Sequence, residues 1–172
     1  LNCSHNQLEK LDVTNNLDMW MLFFSYNQLE KLNVTNNLVL ETMDCSNNQL
    51  KKLDVTKNLD MERLTCSENK LEELDVTNNL ALNYLDCSKN KLEWLYLAKN
   101  VALKYLDCSH NQPLNEVVLT ENVALKYLEW NNWLFEDHQL TKLDVTNNLA
   151  LKRLSCVANN LEELDVTNNL AL

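Results

Sequence analysis

The chain has 172 residues, no glycine, a single proline, six cysteines and a formal net charge of −10. The acid excess and the lack of any basic stripe argue against nucleic acid or an anionic membrane as partner. No apolar run is long enough to span a bilayer, and no phosphate loop or HExxH metal motif occurs. The organisation is a repeat of 21 residues: Met43 to Arg63 reads MDCSNNQLKKLDVTKNLDMER, and Leu64 to Tyr84 reads LTCSENKLEELDVTNNLALNY. Eight units start at residues 1, 22, 43, 64, 85, 106, 128 and 154. Such a period marks units that cannot bury their own apolar face and so bury one another's by stacking.

Numbered from 1 to 21, each unit places apolar residues at positions 1, 3, 8, 11, 13, 17 and 19, as in Leu64, Cys66, Leu71, Leu74, Val76, Leu80 and Leu82. The unit divides into two similar halves, LxCSxNxLxx and LDVTxNxxLxx, each reading as a short strand and a turn. Alternation at positions 1 and 3, and again at 11 and 13, points those side chains inward. Positions 21, 2 and 4 then face outward on one side, and 10, 12 and 14 on the other. Neither half has a 3.6 period long enough for an ordinary helix.

Without glycine, asparagine must make the turns, because it tolerates left-handed backbone and bonds locally to backbone groups. Position 16 is Asn in all eight units, from Asn16 to Asn169, and position 6 is Asn in seven. These predict two asparagine ladders. The cysteines, Cys3, Cys45, Cys66, Cys87, Cys108 and Cys156, all fall at position 3, where the other two units carry Phe24 and Trp130. A position that accepts Cys, Phe and Trp is an apolar core position, so the thiols read as free and buried, neither disulfide-bonded nor zinc-ligating.

Along the chain, the informative residues are those that break the pattern on the outside. Trp20, Met21, Phe23 and Tyr26 cluster near the first end. Asp12, Asp54, Asp75, Asp144 and Asp165 share position 12 beside the position-14 threonines. A divalent-cation site and an ice-binding lattice are the functional readings of this column, and a solvated edge is favoured over both. Position 21 becomes Tyr84, Tyr105 and Tyr127 in successive units, beside Asp86, Asp107 and Glu129 at position 2. On the other face Trp94, Tyr96 and Val118 form a second patch. Pro113 is a one-residue insertion, and residues 131–138 (NNWLFEDH) form a longer one carrying Trp133 and Phe135. His5, His110 and His138 meet no nucleophile, so no catalytic constellation, metal or cofactor is expected. Asn2 and Asn33 sit in glycosylation sequons that carry little weight.

The motif LxxLxCxxNxL, as in Leu82 to Leu92 (LNYLDCSKNKL), resembles the strand signature of leucine-rich repeats. The nested LxxLDVTxNxxL half is similar to that of internalin-like bacterial proteins. The resemblance covers the whole chain. It implies a single leucine-rich repeat domain over residues 1–172, a mainly β solenoid of two parallel sheets, roughly 35–40 Å long. It implies a non-enzymatic recognition module, secreted or on a bacterial surface, that binds a protein. The expected partner site is Tyr84, Asp86, Tyr105, Asp107, Tyr127, Glu129, Trp133 and Phe135. A polysaccharide ligand, or a spacer role with no ligand, is the alternative. Both ends keep the repeat consensus, so the chain reads as an excerpt of a longer one, open to end-to-end self-association; no membrane insertion is expected.

Overall fold

The structure, a computed structural model, describes residues 1–111, 114, 116–132 and 140–172. It is a parallel β-solenoid. Seven three-residue strands form one sheet in chain order: β1 (Met21–Phe23), β2 (Thr42–Asp44), β3 (Arg63–Thr65), β4 (Tyr84–Asp86), β5 (Tyr105–Asp107), β6 (Tyr127–Glu129) and β7 (Arg153–Ser155). The first unit contributes only the isolated bridge Asn2↔Phe23, which is why there is one strand fewer than there are units. Register is strict: Tyr84 pairs Tyr105, Tyr105 pairs Tyr127 across the extra residue of one unit, and Tyr127 pairs Arg153 across the longer insertion.

The middle residue of each strand and the position-3 residue two places on point inward, as the alternation requires. Leu22, Met43, Leu64, Leu85, Leu106 and Leu128 stack as one buried column, and Phe24, Cys45, Cys66, Cys87, Cys108 and Trp130 as the next. All six cysteines are free. The thiols of Cys45 and Cys87 donate to the carbonyls of Thr65 and Asp107 on the following coil, at 3.4 and 3.5 Å.

Among the described residues the expected second sheet does not form as a ladder. In the LDVT half the N–H that would pair with a neighbouring coil is used within its own: Thr56 donates both N–H and hydroxyl to Asp54 Oδ1, at 3.0 and 2.6 Å. The same device recurs at Asp12/Thr14, Asp75/Thr77, Asp144/Thr146 and Asp165/Thr167. The coils are joined just before this half by one backbone bond per coil, such as Gln49 N–H to the Leu29 carbonyl, and within it by the asparagines.

Both asparagine ladders are present, and they differ. At position 6, Asn48 Nδ2 donates to the carbonyls of Phe24, Cys45 and Ser46, while its Oδ1 accepts the Leu29 N–H. This amide also holds the turn in which position 5 takes positive φ, as Tyr26, Asn47, Glu68 and Lys89 do. At position 16, Asn79 Nδ2 donates to the carbonyls of Val55 and Asn58, at 3.0 and 2.7 Å, and its buried Oδ1 has no partner among the described residues. Asn78, one residue earlier, is exposed and reaches the Thr56 carbonyl at 3.3 Å. Asn79→Ala should therefore lower stability by ~1–2 kcal/mol more than Asn78→Ala. The cost is moderate because each orphaned carbonyl keeps its turn N–H as a second partner. Equal urea midpoints for the two variants would remove the ladder from the stability account.

Position 17 departs from the expected core set. Asn58 donates its N–H to the Val55 carbonyl and accepts the Met61 N–H. These two successive turns swing the intervening side chain outward. Leu17, Leu38, Leu59, Leu80, Val101, Val123, Leu149 and Leu170 are each more than half exposed. They form an apolar ridge along one corner of the solenoid.

Candidate functional site

The outward residues of β2 to β7 form two columns on the open face of the sheet. The first runs Thr42, Arg63, Tyr84, Tyr105, Tyr127, Arg153; the second, Asp44, Thr65, Asp86, Asp107, Glu129, Ser155. The 4.8 Å strand spacing sets the rings at stacking distance. Tyr84 and Tyr105 lie 4.3 Å apart with planes 4° from parallel, and Tyr127 tilts 40° from Tyr105 at 6.4 Å. The Arg63 guanidinium caps the stack 4.0 Å above the Tyr84 ring, a favourable cation–π contact. At the other end Arg153 lies 3.6 Å from Glu129.

The strip is partly withdrawn from water. Burial, then the Asp86 carboxylate, pushes the Tyr84 phenol up, and burial followed by the Tyr84 and Asp107 charges raises Tyr105. Asp86 itself is raised, because burial outweighs the Ser88 N–H and hydroxyl that its Oδ1 accepts at 3.1 and 2.7 Å. The result is a fixed row of aromatic edges and hydroxyls beside a row of carboxylates, pre-ordered before any partner arrives.

The structure thus brings together Tyr84, Asp86, Tyr105, Asp107, Tyr127 and Glu129. Trp133 and Phe135 lie outside the described residues. Trp94 and Tyr96 pack against each other at 5.2 Å, 41° from parallel, with Tyr96 and Val118 well exposed. They line a shallow hollow with Glu93 and Glu116 on the other face of the solenoid. Near the first end, Tyr26 stacks on His5 at 4.4 Å and 11°, while Trp20 is exposed.

One column escaped the sequence reading. Position 20 runs Trp20, Glu41, Glu62, Asn83, Lys104, Lys126, Lys152, acidic at one end and basic at the other. Aligning the units shows it, and the reading of the outward positions 21, 2, 4, 10, 12 and 14 passes it by. The ridge at position 17 was hidden for another reason, being spelled with the same residues as the core.

For covalent chemistry the thiols are poorly placed. Burial, reinforced by neighbouring charge, raises Cys66, Cys87 and Cys108 well above the ordinary thiol range. The position-12 acids are committed to their turns: the Thr56 hydroxyl, then its N–H, lowers Asp54, and Thr146 does the same for Asp144. Among the described residues no group of three or more His, Cys, Asp or Glu is set to hold a metal ion. No helix there is long and apolar enough to cross a membrane.

The sequence matches no protein-family model and none of the curated proteins. Solved structures do match. The functional domain of InlJ from Listeria monocytogenes, described as including a cysteine ladder, is 35% identical over 100% of this chain, with a TM-score of 0.93. An internalin (inlF) of Listeria monocytogenes matches over 92% of the chain at 22% identity and TM-score 0.79. The Leptospira interrogans leucine-rich repeat protein LIC12759 matches over 82% at 23% identity and TM-score 0.72. The chain spans 37%, 47% and 38% of these structures respectively.

Proposed function

We propose that this chain, a leucine-rich repeat solenoid with an internalin-like fold, is a recognition module on a bacterial surface or secreted from it, binding a protein through its open sheet face. The observation that carries the reading is the Tyr84–Tyr105–Tyr127 row beside Asp86, Asp107 and Glu129. Tyrosine supplies contact area and a hydroxyl at low entropic cost, and a stacked row has already lost most of the freedom that binding would remove. The carboxylates beside it favour a partner with basic side chains opposite them. A sugar ligand is less well served: Tyr84 and Tyr105 turn their faces to each other and to Arg63, so they show edges where a pyranose needs a flat ring.

Pull-down from surface extracts of candidate host cells, run beside a glycan array, tests this reading. Tyr84→Ala with Tyr105→Ala should weaken the protein interaction by about thirty-fold or more, a hot-spot loss of ~2 kcal/mol or greater. The melting temperature should fall only by the few degrees that ring stacking contributes. Trp94→Ala with Tyr96→Ala should bind as the unaltered chain does. Loss of binding in the second pair but not the first would move the site to the other face, and a signal on the glycan array alone would replace the protein reading.

A further inference from the structure

We propose that two copies of this chain associate side by side and antiparallel, through the corner that carries the position-17 ridge and the position-20 charge column. Two observations, independent of the protein-binding reading, support this.

The first is the ridge. Leu17, Leu38, Leu59, Leu80, Val101, Val123, Leu149 and Leu170 are each more than half exposed and follow one another at the coil spacing, an unbroken line roughly 34 Å long. A single exposed leucine is ordinary. A contiguous exposed apolar line marks an interaction surface.

The second is the charge column, which says what covers the ridge. Positions 17 and 20 are three peptide steps apart, so the column runs no more than ~11 Å from the ridge and belongs to the same contact. Its signs reverse about Asn83: Glu62 and Glu41 on one side, Lys104 and Lys126 on the other, with Trp20 and Lys152 beyond them. Turn a second copy end for end about a two-fold axis through the Asn83 coil, and every member meets its complement. Glu62 faces Lys104, Glu41 faces Lys126, and Trp20 faces Lys152 in a cation–π pairing, each twice by symmetry. A parallel copy related by a two-fold along the solenoid axis would swap the flanks and set the column against position 15 of its partner, with Lys104 on Lys99 and Glu41 and Lys152 left opposite asparagines. On the far flank of the ridge the same arrangement brings Lys57 towards Lys99. That repulsion is outnumbered by the four Glu–Lys pairs, and Glu121 stands one coil from Lys99. In the antiparallel sense every charged member of the column is paired, and the surface is apolar along its centre, the anatomy of a specific interface.

Sedimentation velocity and light scattering across micromolar to millimolar concentrations test this directly. The unaltered chain should form a dimer that weakens with salt. Glu41→Lys with Glu62→Lys makes the column all basic; Lys104→Glu with Lys126→Glu and Lys152→Glu makes it all acidic. Each variant alone should be monomeric with an unchanged circular dichroism spectrum, and mixing the two should restore a dimer containing one copy of each. Leu80→Asp with Val101→Asp should abolish association without lowering the melting temperature by more than a few degrees. A monomeric unaltered chain would overturn the proposal, as would charge variants that self-associate undiminished or a mixture that stays monomeric. Open-ended growth insensitive to both charge variants would instead assign association to the solenoid ends.

Discussion

Stability should fall steeply once the pH passes about 9, with the buried thiol column as the cause. An ordinary cysteine ionises near 9, and burial raises Cys45, Cys66, Cys87 and Cys108 far above that in the folded chain. A group whose folded value is raised contributes stability that is fully present below its unfolded value and lost as the pH climbs towards the folded one. Above about pH 9 unfolding releases protons that the folded state retains, and each thiol subtracts up to ~1.4 kcal/mol per pH unit, the four together up to ~5. Tyr84 and Tyr105 are raised too and steepen the loss above about pH 10. Urea midpoints measured with reductant between about pH 8 and pH 10 will show it. Cys66→Ala with Cys87→Ala should make the decline visibly shallower, even though it lowers stability at neutral pH. A midpoint flat across that range would mean that the thiols ionise as readily folded as unfolded. A thiol reagent at neutral pH gives a second readout: the half-buried Cys3 and Cys156 should react in the folded chain, the four buried thiols only after denaturation.

The second large effect contrasts two leucines of one motif. In Asn78–Leu82 (NNLAL), Leu82 is fully buried and Leu80 is 58% exposed. Leu82→Ala should cost ~2–5 kcal/mol, because its neighbours Met61 and Leu103 are held by their own coils and cannot collapse into the space. Leu80→Ala in the monomer should change stability by ~0.5 kcal/mol or less. Comparable losses at the two positions would place both in one core and dissolve the ridge.

That contrast also shows what could be read from the residues alone. The period-2 alternation around Leu64 and Cys66 was decisive, because a strand has only two sides and Cys, Phe and Trp cannot share the wet one. The invariant Asn79 was legible because few side chains can bond two carbonyls at a buried turn. Leu80 was misplaced because alternation fails in consecutive turns: the orientation of position 17 is set by the φ and ψ of its neighbours, and leucine is spelled alike inside and out. The second sheet is absent among the described residues for a related reason. LDVT has strand composition, but in six units an Asp or Asn side chain at position 12 takes the Thr N–H, local bonding that competes with a ladder. The segments Leu95–Ala98 and Val117–Thr120 lack that side chain and form no strand either. At the open sheet face the row of tyrosines was visible in the sequence, while its internal stacking and the Arg63 cap depend on distances that the sequence does not carry. Trp133 and Phe135 fall outside the described residues, so the loop half of the expected site stays with the sequence reading.

Both insertions in the chain, Pro113 and residues 131–138, interrupt the same corner, between positions 4 and 8 of a unit. On either side the coils keep step: Tyr105, Tyr127 and Arg153 pair in unbroken register, and the Asn160 N–H still finds the Leu140 carbonyl at 3.0 Å. Distance along the chain and distance along the axis are thus uncoupled at this corner, where residues can be added without moving any neighbouring coil. The solenoid keeps the spacing of a ruler past both insertions. New peptide can be grafted at this corner, and the tyrosine row, the thiol column and the apolar ridge keep their spacing.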